Sequence, residues 1–130
     1  MKTSSVIRLA KEVLKIEARA ISRLRSRINK DFEAVVQWMA DCKGRVILTG
    51  IGKPGFIARK IAATMASTGT PTFFLHPAEA AHGDFGMVTS KDLVIAISQS
   101  GESEEIVRLL PLLKKKGVKL VALTSVPGSS

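Results

Sequence analysis

Tyrosine is absent from the 130 residues, cysteine and tryptophan occur once each, and histidine occurs twice. Each scarcity excludes something. One thiol, Cys42, cannot build a disulfide framework and reads as a buried or half-buried group in a reducing compartment. One tryptophan and five phenylalanines are too few to make stacking platforms for single-stranded nucleic acid. No apolar run approaches the roughly 18 residues of a membrane span. No apolar stretch follows the first basic residues as a secretory signal would require. The expectation is a cytoplasmic protein with neither nucleic acid nor a membrane as partner.

Positive charge, by contrast, is plentiful. Twenty Lys and Arg face eleven Asp and Glu, leaving +9. The cations do not form one block. Arg8, Lys11, Lys15, Arg19, Arg23, Arg25 and Arg27 run along the N-terminal segment, with Glu12 and Glu17 among them. Lys114-Lys115-Lys116 falls at a predicted helix C-terminus, where cations suit the helix dipole. An anionic small substrate and a merely solvated surface both fit this spread. At 45% hydrophobic the chain has material for a core without staples, and its length suits one domain or most of one.

Residues 4–28 predict one long amphipathic helix. Val6, Leu9, Ala10, Val13, Leu14, Ile21, Leu24 and Ile28 recur at spacings of three, four and seven. Such a helix either packs on a partner subunit or covers its own sheet. A second helix is predicted over 31–41, with Phe32, Val35, Val36 and Met39 on its apolar face and Gly44 ending it. From Arg45 the pattern changes. Strands are predicted at 45–49, 71–75, 92–97 and 119–124, helices at 55–67 and 103–116, and a long loop over 76–90. Alternating buried strands and helices predict an α/β three-layer sandwich with a parallel sheet, preceded by the long N-terminal helix. Residues 1–44 are then a helical segment of the same domain, and 45–130 its parallel core. Pro127-Gly128-Ser129-Ser130 reads as a turn-like tail.

Ligands of open parallel sheets sit beyond the carboxyl ends of the strands. Three segments qualify. Ser98-Gln99-Ser100-Gly101-Glu102-Ser103 follows an apolar strand and feeds a helix N-terminus, whose unpaired N–H groups favour an anion. Three hydroxyls and an amide add donors, and Gly101 permits positive φ. A plain helix cap by Ser100 or Ser103 explains one serine, not the set. Glu102, Glu104 and Glu105 lie close enough to repel a phosphate unless they point away or take part in chemistry. Gly50-Ile51-Gly52-Lys53-Pro54-Gly55 is a literal G-x-G-x-x-G between strand and helix. The ribose-binding acid of a nicotinamide site is missing at the end of the next strand, so that reading fails. Lys53 is a cation of the site or a solvated loop lysine, and Pro54 suits a first helical position. The segment from His76 to Asp84 holds both histidines. Imidazole suits zinc, but no third ligand appears at a recognised spacing, so substrate contact is the better reading.

Together the three segments resemble the sugar isomerase (SIS) domain and, within it, the arabinose-5-phosphate isomerases. The matching text is GIGKPGFIARKIAATMASTGTPTFFLHPAEAAHGDFGMVT, then VIAISQSGESEEI; the likeness spans about Val46 to Thr124. SQSGES marks the SIS domain, and HP-x-EAAHGD points to the pentose isomerases. The resemblance implies an SIS-type, flavodoxin-like fold that interconverts D-arabinose 5-phosphate and D-ribulose 5-phosphate, on the route to the Kdo sugar of lipopolysaccharide. It implies a phosphorylated pentose as ligand, no cofactor, and self-association as a dimer or tetramer. By motif it implies catalytic roles for Lys53 and Glu105. Ser98, Gln99, Ser100 and Ser103 would hold the phosphate. Gly69, Thr70, His76 and His82 would line the substrate site, in part from a neighbouring subunit. Zinc at His76 would inhibit.

As a base, Glu105 would need its pKa raised by burial or acidic neighbours; its plainer reading is a first-turn acid favoured by the helix dipole. Two departures stand out. Pro54 occupies a position where the family has serine. Relatives also continue past Thr124 with another strand, more helices, a second catalytic Glu and a His, and often paired CBS domains. The expected core is therefore incomplete at its C-terminus, and this length alone would have weak or no isomerase activity. The alternative is a non-catalytic sugar-phosphate-binding module.

Overall fold

The computed structural model describes residues 3–126 and 128; Pro127, Ser129 and Ser130 of the expected tail lie outside the described residues. The chain falls into two compact units, Met1–Gln37 and Trp38–Ser130. The first contains α1 (Thr3–Leu24), a 3-10 turn at Arg25–Arg27, and most of α2 (Lys30–Ala40). The helix of 4–28 thus ends early, because Ile28 is extended at φ −72°, ψ 110°. Its apolar stripe remains exposed, with Leu14 at 65% and Ile21 at 69%. Asn29 starts α2: its Oδ1 accepts the N–H groups of Asp31 and Phe32 at 3.1 and 3.2 Å, as an N-cap does. Gly44 does not cap α2, which stops at Ala40. Its N–H instead bonds the Lys91 carbonyl at 3.0 Å, tying the approach to the first strand.

The second unit is a four-stranded parallel sheet. In chain order come β1 (Val46–Gly50), α3 (Gly52–Ser67), β2 (Thr72–Leu75), α4 (Pro77–Ala81), β3 (Leu93–Ile97), α5 (Glu104–Lys116) and β4 (Lys119–Leu123). The spatial order is β2-β1-β3-β4. Because successive side chains of a strand point to opposite faces, the sheet has two cores. Val46, Leu48, Leu93 and Ile97 pack with Ala58 and Ala62 of α3. Ile47, Leu75 and Val94 pack with Ala80 of α4 and with Leu109 and Leu113 of α5. Each large side chain so buried stabilises the fold by about 2 kcal/mol. Helices on both faces make the expected α/β sandwich.

Two expectations change here. Helix α3 begins at Gly52 rather than Gly55, so Lys53 belongs to its first turn rather than to a loop, and Pro54 follows it in the same turn. Proline is tolerated there because first-turn N–H groups have no intrahelical acceptor. The expected loop over 76–90 contains α4 and a 3-10 turn at Asp84–Met87. Pro77 supplies the first helical position of α4, and five residues are too few for apolar periodicity to show.

Candidate functional site

Connections from β1 run to β2 on one side and from β3 to β4 on the other. The direction of winding therefore reverses between β1 and β3, which defines the crevice where such sheets bind ligands. The turn after β1 and the loop after β3 meet there. They border an open cleft of about 380 Å³, lined by Ile51, Pro54, Gln99, Ser100, Ser103 and Ser125 among others.

The loop is held from within. Ser98 is buried at 5% exposure; its Oγ accepts the Gly101 N–H at 3.1 Å and lies 2.9 Å from Ser103 Oγ. Ser100 Oγ accepts the Glu102 N–H at 3.1 Å. Gly101 takes φ +76°, which a glycine adopts without strain. Ser103 stands at the N-cap of α5 but makes no side-chain cap bond, since its hydroxyl faces Ser98. The plain-cap reading therefore does not describe how these hydroxyls are used. Ser98 shapes the loop from below, while Gln99, Ser100 and Ser103 face the cleft beside the first turn of α5. The Gln99 carbonyl accepts from Ser125 N at 3.1 Å, Ser125 Oγ at 2.6 Å and Thr124 Oγ1 at 3.2 Å. Sequence reasoning did not find this latch to the end of β4.

Of the three nearby acids, Glu104 pairs with Arg108 one turn along α5. Glu105 is exposed, so the burial expected of a catalytic base is not supplied by the described residues. Lys53 is also exposed. On the other side of the turn after β1 lies a smaller pocket of about 150 Å³, lined by Gly52, Gly55, Phe56, Arg59, Phe74 and His76 among others. Of the glycines of the literal dinucleotide motif, Gly55 serves close packing, since a Cβ on it would lie 2.7 Å from the Gly50 carbonyl oxygen, whereas Gly52 has open space and takes φ +60°.

His76 and His82 flank α4 as N-cap and C-cap. His76 Nδ1 accepts the Ala78 N–H at 3.2 Å. In the neutral ring Nε2 then carries the hydrogen. No group of three or more His, Cys, Asp or Glu side chains gathers among the described residues, and Nδ1 of His76 is already engaged. Gly69 and Thr70 precede β2, whereas His76 follows it. Four residues of strand, about 13 Å, separate them, so one chain does not bring Gly69 and Thr70 into the cleft. Arg59, absent from the expected site, was legible only as a helical repeat. It lies four residues past Gly55 and seven past Gly52, on one face of α3.

A parallel sheet with a serine-rich loop at its crevice defines a class, and known proteins agree. The SIS domain model matches residues 39–130, and the chain belongs to that family. Over 120 residues it is 56% identical to the arabinose 5-phosphate isomerase KdsD of Escherichia coli O6:H1 (strain CFT073), covering 92% of this chain and 37% of that protein. Over 123 residues it is 49% identical to the same-named enzyme of Pseudomonas aeruginosa, covering 95% and 38%. The chain thus spans little more than a third of the length of these relatives. A solved E. coli CFT073 protein in complex with arabinose 5-phosphate superimposes with a TM-score of 0.93 at 45% identity, covering all of this chain and 69% of the other.

Proposed function

We propose that this chain is the phosphate-binding core of an aldose–ketose isomerase acting on D-arabinose 5-phosphate and D-ribulose 5-phosphate. The observation that carries this reading is the loop from Ser98 to Ser103: braced internally, set at a helix N-terminus, and opening on a cleft at the crevice between β1 and β3. The similarity to arabinose 5-phosphate isomerases supports the substrate class. Gln99, Ser100 and Ser103 bind the phosphate, and Ser98 holds their geometry. Gly69, Thr70, His76 and His82 contact the sugar, Gly69 and Thr70 from a second copy of the chain. Zinc at His76 is an inhibitor whose binding at either ring nitrogen requires the Ala78 N–H bond to be given up. The assembly is a dimer or tetramer, to which the exposed stripe of α1 contributes. The setting is the cytoplasm, on the route to lipopolysaccharide.

The chemistry moves a proton between C1 and C2 through an enediolate. That requires a base poised near neutral pH and a cation or donor for the developing oxyanion. Glu105 is the base and Lys53 the oxyanion partner. Both are exposed, so the remainder of the catalytic environment comes from outside these residues. The same exposure favours the second reading, a domain that binds sugar phosphate without converting it.

A thermal-shift titration with arabinose 5-phosphate, ribulose 5-phosphate and inorganic phosphate, followed by a turnover assay, separates the two readings. Isomerisation abolished by Glu105→Gln supports the enzyme. Stabilisation by the sugar phosphates without turnover supports the binding module. Near-normal turnover of Glu105→Gln removes that residue from the mechanism.

A further inference from the structure

The smaller pocket, across the turn from the phosphate loop, has chemistry of its own. The Arg59 guanidinium carbon lies 4.2 Å from the centroid of the Phe74 ring. Phe74 meets His76 at 6.2 Å between ring centroids and 69° between planes, an edge-on contact. A cation–π contact uses the charge of a guanidinium against the ring and leaves N–H donors to bind something else. The ion pairs Lys15–Glu12, Arg45–Asp92 and Arg108–Glu104 do not involve Arg59. His76 has committed Nδ1 to Ala78, so its remaining ring nitrogen is a donor. The pocket therefore joins a cation to a second donor, with Gly50, Gly52 and Gly55 also in its lining. Its volume of about 150 Å³ holds roughly five waters, room for a tetrahedral oxyanion in their place.

We propose that Arg59 and His76 form a second oxyanion site for a phosphate group, distinct from the loop at Ser98–Ser103. Arg59 supplies the charge and His76 a directed hydrogen bond. Phe74 keeps the guanidinium in place, so ligand binding need not first order that long side chain. The site goes beyond the isomerase reading, since its occupant can be a phosphate ester or free phosphate.

The chain has two histidines, so nuclear magnetic resonance can follow each ring separately, together with the amides of residues 98–103. Inorganic phosphate is expected to shift the ring signals of His76 and spare those of His82. Arg59→Met should weaken the His76 response about tenfold while the loop amides respond as before; Arg59→Lys, which keeps charge but not the flat stack, should fall between. Titration with arabinose 5-phosphate distinguishes the source. A stronger His76 response than to phosphate that falls in Arg59→Met supports an ester, an equal one supports the free ion, and a response to the ester that survives Arg59→Met comes from the sugar contact and overturns the ester. No His76 response to either anion, or an unchanged response in Arg59→Met, overturns the site. Silent loop amides beside a responsive His76 would instead sink the phosphate-loop reading and leave this one standing.

Discussion

The two edges of the sheet use polar groups in opposite ways. At the amino edge Asp92 is saturated. Its side chain, 1% exposed, accepts Arg45 N–H at 2.8 Å and Thr89 N–H at 2.7 Å. The Arg45 guanidinium lies 3.6 Å from the same carboxylate, donates to the Met87 carbonyl at 2.5 Å and sits 4.8 Å from the Phe73 ring centroid. At the carboxyl edge the serines brace one another and leave donors facing a cleft. Both regions are dense in hydrogen bonds. What separates them is where the last donors point: inward at Asp92, which secures the fold, and outward at the serine loop, which favours a ligand.

The comparison breaks most readily at Asp92. Asp92→Ala removes the acceptor for two part-buried N–H groups and the partner of Arg45, and should cost about 2 kcal/mol in urea unfolding. Phosphate affinity of the folded fraction should not change; a matching loss of affinity would show that the edges are not independent. The loop should respond the other way. Ser103→Ala is expected to weaken phosphate binding about tenfold by calorimetry, while stability falls by less than about 1 kcal/mol.

A smaller effect is the response to acid. Burial alone would raise the Asp92 pKa, but the N–H donors of Thr89 and Arg45 and the Arg45 charge outweigh it and hold it below the ordinary carboxylate value. A depressed folded-state pKa contributes stability that is present above the unfolded-state value and lost as pH falls through the folded one. The urea midpoint should therefore drop on acidification below about pH 4, and less steeply in Asp92→Asn. Least of all is Thr49, whose buried hydroxyl has no hydrogen-bond partner. Thr49→Val should be neutral or stabilise by up to about 1 kcal/mol. A clear loss in melting temperature would mean that the hydroxyl has a partner after all.

The α/β alternation was readable because buried parallel strands are continuous apolar runs. β1, β2, β3 and β4 all fall within a residue of expectation. The serine-rich loop was readable because its polar groups are adjacent in sequence. What stayed hidden depends on distance in space. Asp92 looked like the start of a strand, yet its partners at Arg45 and Thr89 meet it only through folding. Gly44 looked like a helix end, and its actual partner is Lys91. The grouping of Arg59 with Phe74 and His76 joins α3 to β2, and no single segment displays it. Glu105 shows the converse: the motif marks its identity, while its exposure is a property of the packed chain.

The latch on Gln99 has one more consequence. Three donors converge on its carbonyl oxygen from Thr124 and Ser125. No peptide bond among the described residues is cis, so the N–H of Ser100 lies antiparallel to that carbonyl in the same rigid plane. Fixing one end of this plane fixes the other: the Ser100 N–H behaves like a compass needle whose tail is clamped. Its heading, away from β4, is set by the fold itself, so the phosphate proposed for this loop would meet a donor that need not be reoriented.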